Sequence, residues 1–92
     1  MTDRRMYRYL VPVDDQVHVF TITGDPVAVA GDNTTVEFWA EHDEDAGASD
    51  RAFLAVGTGH RIPGGARWVG TCPRTSLGLV WHLYEIPEVP DA

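Results

Sequence analysis

The segment Leu79-Val80-Trp81-His82-Leu83-Tyr84-Glu85-Ile86 is the most apolar run of the chain, and its side chains alternate with a period of two. Leu79, Trp81 and Leu83 fall on one side of an extended ribbon, and Val80, His82, Tyr84 and Ile86 on the other. Apolar residues on both sides predict a strand covered on both faces, which is a central one. The same period recurs towards the amino terminus, over Tyr7 to Val13, Val17 to Ile22, Val27 to Ala30, Thr35 to Glu41, Arg51 to Val56 and Arg67 to Thr71. Turn residues interrupt it about every ten positions, the spacing of an all-β sandwich or barrel. Asp14-Asp15-Gln16, Gly24-Asp25-Pro26 and Gly31-Asp32-Asn33 each reverse the chain, because Asp, Asn and Gly favour turns and Pro presets φ. The first reversal is expected to close a hairpin between the first two strands. The fold class expected is all-β, a single small antiparallel sandwich or partly open barrel of about six to eight short strands. Its core should run over about residues 6–86, with loose segments at 1–5, 42–50 and 87–92.

A chain of 92 residues holds one domain. Its seven basic residues are all arginine, so mechanisms that need a Schiff-base lysine or a phosphate-loop lysine are excluded. Against fourteen acids they leave a net charge of -7, the wrong sign for generic nucleic-acid binding. A single cysteine, Cys72, forms no internal disulfide, which suits an intracellular protein, and it reads as a small buried apolar group. No apolar run is long enough for a membrane helix, and no membrane partner is expected.

The four histidines, at 18, 42, 60 and 82, lack the short spacing of metal sites, and neither a metal nor a cofactor is expected. His60 stands in the glycine-rich Gly57-Thr58-Gly59-His60-Arg61-Ile62-Pro63-Gly64-Gly65, where an imidazole has no packing duty. If the Arg67 to Thr71 strand pairs with the last one, this loop arches over His82, with Tyr84 beside it. Gly57-Thr58-Gly59 lacks the third glycine and the following helix of a dinucleotide fingerprint, so its glycines imply backbone freedom instead. Arg61 and Arg67 bracket the loop and complement an anion held there. The candidate binding residues are therefore Thr58, His60, Arg61, Arg67, His82 and Tyr84. Trp39 and Trp68, each in a strand among apolar neighbours, are expected in the core.

The acidic stretch from Glu41 to Asp50 has no acid at the twelfth position of a loop counted from Asp43, where Leu54 stands, and so lacks the calcium-loop pattern. Neither Ser49 nor Ser76 lies in a nucleophile elbow. Asp14 and Asp15 read as turn carboxylates that hydrogen-bond the backbone.

Tyr7-Arg8-Tyr9, Phe38-Trp39-Ala40, Gly57-Thr58-Gly59-His60 with Ile62, Trp68-Val69-Gly70-Thr71 and Val80-Trp81-His82-Leu83-Tyr84-Glu85 resemble, in this order, a family of small uncharacterised phage, prophage and actinobacterial proteins. Gly57-Thr58-Gly59-His60 and the terminal Val80-Trp81-His82 are its most specific pieces. The chain departs from that pattern between Thr21 and Val29, where Gly24-Asp25-Pro26 replaces a proline-glycine turn. The resemblance implies a phage or prophage product in a bacterial cytoplasm and no particular chemistry.

The function expected from these readings is a non-enzymatic binding module acting on a host protein or a small anionic ligand, with a homodimer formed through edge strands. The rivals are a hydrolase or nuclease using His60 and His82, an acidic nucleic-acid mimic, and a virion structural component.

Overall fold

A computed structural model describes residues 3–89. Among them seven strands form: β1 (Arg5–Pro12), β2 (His18–Ile22), β3 (Pro26–Gly31), β4 (Thr35–His42), β5 (Ser49–Gly57), β6 (Arg67–Thr71) and β7 (Trp81–Ile86). They make two antiparallel sheets, a three-stranded one in the order β1-β4-β3 and a four-stranded one in the order β2-β5-β7-β6. The sheets stack without closing, so the sandwich is formed and the barrel is not. β7 lies between β5 and β6, as its two-sided apolar run predicts. It begins at Trp81; Leu79 and Val80 belong to the connection before it. The acidic connection read over 42–50 closes to residues 43–48, and of the expected loose ends residues 1–2 and 90–92 lie outside the described residues.

The inward positions of the alternation supply the core. Val11, Val36, Phe38 and Ala40 from one sheet meet Ile22, Phe53, Ala55 and Leu83 from the other, all buried. Phe38 is the centre, with ring centroids 4.7 Å from Phe53, 5.0 Å from Tyr9 and 5.5 Å from Phe20. Each fully buried phenylalanine contributes about 1.5–3 kcal/mol relative to an exposed one.

The hairpin expected between the first two strands does not form. β1 pairs with β4 from Arg5↔His42 to Pro12↔Thr35, whereas β2 pairs with β5 from His18↔Phe53 to Ile22↔Ser49. Both strands carry large apolar side chains on one face, and those faces satisfy each other across the core, with Tyr9 edge-on to Phe20 at 5.8 Å, better than side by side in one sheet. The chain changes sheets at Asp14-Asp15-Gln16. There Asp15 takes φ 60°, and Asp14 Oδ1 accepts the Gln16 N–H at 3.0 Å and contacts His18 Nε2 at 2.9 Å. The carboxylates are turn residues, as read from the sequence, but the turn is a corner.

The tryptophans also depart from expectation. Trp39 falls at a half-buried outward position of β4, between the buried Phe38 and Ala40. Trp68 is 62% exposed, because the register slips between Trp68↔Tyr84 and Gly70↔Leu83; the extra residue, Val69, goes to the core and leaves Trp68 outside. Gly70 follows for a steric reason: a Cβ there would lie 2.6 Å from Val29 Cγ2, so the approach of β3 to β6 requires its absence. Cys72 is 2% exposed, and burial, with Glu37 nearby, raises its thiol above the usual range, in keeping with an inert packing role.

Candidate functional site

The two ends of β7 are built differently. At its start Trp81 pairs with Gly57 of β5, and Cys72 donates its N–H to the Trp81 carbonyl at 2.9 Å. The chain leaves β5 through a tight turn in which the His60 N–H bonds the Gly57 carbonyl at 3.0 Å and Gly59 takes φ 87°, a left-handed value that only glycine adopts without strain. On the other side of Trp81, the β6–β7 connection folds on itself through Thr75. Its carbonyl accepts the Gly78 N–H at 2.9 Å, its hydroxyl accepts the Leu79 N–H at 3.0 Å, and Gly78 has φ 81°. The β3–β4 turn clips this connection in place: Asn33 Nδ2 donates to Ser76 Oγ at 2.9 Å, and the Trp81 indole N–H bonds the Asp32 carbonyl at 3.1 Å.

Between the two connections lies an open cleft of about 380 Å³, lined by Gly57, Thr58, His60, Arg74, Gly78, Leu79, Val80 and Trp81. Trp81, Leu79 and Val80 give it an apolar wall, while Thr58, His60 and Arg74 give it donors. No carboxylate of the described residues lines it. Among the described residues Arg74 bonds the Gly78 carbonyl alone, at 3.4 Å, and has no carboxylate within ion-pair distance. Gly57 is needed here, since a Cβ would stand 3.0 Å from Trp81 Cζ3 and 3.6 Å from His60 Cε1.

Thr58 and His60, singled out from the sequence, therefore come together. His82 does not join the cleft lining: it sits on the opposite side of the β7 ribbon from Trp81, and Thr58, not His60, reaches it, with Oγ1 2.8 Å from His82 Nε2. The arch over His82 expected for His60 is thus made by Thr58, and the two imidazoles occupy different faces. His82 Nδ1 lies 2.9 Å from Thr71 Oγ1, which in turn accepts the Trp68 indole N–H at 3.0 Å. Tyr84 is half-buried on the same side of β7, across from Trp68. Arg61 is exposed in the β5–β6 connection and is not among the residues lining the cleft.

Arg67 is at the other end of β7, opposite Glu85, which removes it from the glycine turn it was expected to serve. Glu85 is only 9% exposed and fully engaged. The Arg51 guanidinium grips it as a fork, Nε to Oε2 at 2.7 Å and Nη2 to Oε1 at 2.8 Å, and Arg67 Nη2 adds a bond to Oε1 at 2.6 Å. Arg51 Nη1 also reaches Asp25 Oδ1 at 2.7 Å. These bonds, those from Arg51 first, hold the Glu85 carboxyl below its usual range and the Arg51 guanidinium above its own.

Among the described residues no three of His, Cys, Asp and Glu cluster to hold a metal ion, and no helix is long and apolar enough to cross a membrane. Arg74, Leu79, Trp81 and Asn33 were not singled out from the sequence as site residues. Their roles depend on two connections meeting at one end of the sandwich, which follows from the β5-β7-β6 order and not from any local motif. No curated protein and no solved structure matches the chain. The family model described as Domain of unknown function (DUF7352) matches residues 2–91, and the chain belongs to that family.

Proposed function

We propose that this protein is a non-enzymatic binding module, a phage or prophage product of the bacterial cytoplasm, whose ligand is a small organic anion held in the cleft at the Trp81 end of β7. One observation carries the reading. In a chain of net charge -7, His60 and Arg74 line a cleft that no carboxylate of the described residues enters. Elsewhere Arg4, Arg8, Arg51 and Arg67 each have a carboxylate partner. A cation kept apart from abundant internal acids is available to an outside one. The cleft volume of about 380 Å³ falls at the small end of ligand sites, which run to roughly 1,000 Å³.

A thermal-shift screen of small carboxylates and phosphates tests this. Anions that raise the melting temperature of the wild type should lose that effect in Arg74→Ala, and a screen without a hit overturns the reading. A second reading, a host protein as the partner, is favoured by the exposure of Trp68 at 62%, beside a groove formed with Pro26, Asp25 and Arg67. On that reading a specific protein is retained from bacterial lysate by the wild type and lost with Trp68→Ala, while Arg74→Ala leaves it bound.

A further inference from the structure

We infer that the cleft takes an amphipathic oxyanion, a planar apolar body ending in a phosphate or a carboxylate, and that Trp68, which lies outside the cleft, fixes Thr58 as a hydrogen-bond donor to it. This rests on the reading of the cleft as an anion site and says which anions it holds.

The body follows from the wall. Trp81, Leu79 and Val80 line one cleft with Thr58, His60 and Arg74, so a ligand that fills it meets apolar surface and donors together. Inorganic phosphate uses only the donors and leaves the indole side wet. A neutral ring uses only the wall.

The direction of the Thr58 hydroxyl follows from a chain of bonds that begins at a group with no choice. An indole N–H is a donor only, and that of Trp68 bonds Thr71 Oγ1 at 3.0 Å. In the inferred relay the Thr71 hydroxyl hydrogen goes to His82 Nδ1, 2.9 Å away. A neutral imidazole that accepts at Nδ1 carries its proton on Nε2, and it donates that proton to Thr58 Oγ1 at 2.8 Å. Thr58 has thus accepted already and, in the inferred arrangement, turns its own hydrogen towards the cleft whose lining includes this residue. The reverse order gives the hydrogen of the exposed Thr71 hydroxyl to solvent and turns the free side of Thr58 into an acceptor, the wrong polarity for an anion. An ionised oxyanion offers acceptors alone, so it matches a site whose Thr58, His60 and Arg74 supply hydrogens. Trp68 is a positioning residue in this scheme; it touches no ligand.

Two measurements on the full chain test the inference. The first needs no ligand: nitrogen NMR of the His82 ring at alkaline pH should show the Nε2–H tautomer in the wild type and a shift towards Nδ1–H in Trp68→Phe, which keeps the ring and removes the donor. A wild-type Nδ1–H tautomer overturns the relay. The second is an amide-shift titration with phenyl phosphate, phenylacetate, inorganic phosphate and benzyl alcohol. Phenyl phosphate or phenylacetate should move the amides of residues 57–60 and 78–81 and bind at least about tenfold tighter than inorganic phosphate and benzyl alcohol, and the tighter of the two names the head group. Trp68→Phe should weaken that binding about threefold and Thr58→Val about tenfold, with both variants as stable as the wild type to within a few degrees. Inorganic phosphate binding equally well overturns the apolar body, and benzyl alcohol binding equally well overturns the anionic head. Undiminished affinity in Trp68→Phe overturns the positioning role alone. Silence of the cleft amides to every probe overturns the cleft as an anion site, and the tautomer result then stands by itself.

Discussion

β7 carries opposite electrostatic solutions at its two ends. At Glu85 a carboxylate that is 9% exposed is closed off by two guanidinium groups, and one of these is shared with Asp25. Four residues earlier, at Trp81, Arg74 and His60 line a cleft to which no carboxylate of the described residues contributes. The closed end joins the β2–β3 turn, β5, β6 and β7 through ionic bonds, three of them on the Glu85 carboxylate. The open end is held by backbone turns and by Asn33, which leaves the Arg74 guanidinium without a carboxylate among the described residues. An arginine answered by internal carboxylates reads as architecture, and one that lines a cleft without them as a site; the same side chain serves either purpose according to what the fold puts opposite it.

The largest effect expected from breaking this contrast is at the closed end. Glu85→Ala leaves the Arg51 guanidinium, whose side chain is 17% exposed, with only the outlying Asp25, and should cost about 2–3 kcal/mol in urea unfolding. The pH dependence has a definite sign. The Glu85 carboxyl is held below its usual value in the folded state, so its contribution is fully present above the unfolded value and is lost as pH falls through the folded one. Glu85→Gln should therefore flatten part of the acid-side loss of stability. A remainder persists from Asp14, lowered first by its bond with His18, and from Asp32, lowered by the Thr34 and Thr35 amides. An acid limb identical in wild type and Glu85→Gln rules out the closed end as its source.

Next comes Gly57→Ala, which acts on the open end by crowding. The added methyl meets the Trp81 ring at 3.0 Å, and the ring is tied by its N–H to the Asp32 carbonyl, so relief is limited. A loss of about 1–2 kcal/mol in thermal unfolding is expected, together with a changed Trp81 fluorescence. Asn33→Ala removes the clip on Ser76 without adding bulk. It should cost about 1 kcal/mol and speed amide exchange through residues 75–79 while leaving that of 83–86 unchanged, because only the open end depends on it.

The strands beneath this contrast were legible in the sequence, the contrast itself only in part. Period-two alternation located the strands, and the two-sided apolar run correctly made β7 central. Alternation fixes which way a side chain points but not which strand lies beside it, and so the β1–β2 hairpin was expected where a corner forms. It also fails at a bulge: one extra residue, Val69, put Trp68 outside. Glu85 carried a signal that went unused, since it shares the inward parity of Trp81 and Leu83, and a carboxylate at such a position demands a buried partner. Thr58 and His60 were found because a glycine-rich turn frees polar side chains from packing. Arg74 had no such mark; its meaning comes from the crossover that carries the chain from β5 past β7 to β6 and brings the Gly57 turn opposite the Thr75 turn.

The smallest expected effect on stability is also the sharpest division between the two ends. Arg74→Ala removes a guanidinium whose recorded bond is a long one of 3.4 Å to the Gly78 carbonyl, so urea unfolding should change by less than about 0.5 kcal/mol. His60→Ala should behave alike, since the turn is closed by its backbone N–H and not by its ring. Both variants should nevertheless abolish the thermal stabilisation that an anionic ligand gives the wild type, whereas Arg67→Ala should lower stability measurably and leave that stabilisation intact. If Arg74→Ala instead unfolds as readily as Glu85→Ala, its charge is part of the architecture after all, and the division of β7 into a structural end and a binding end collapses.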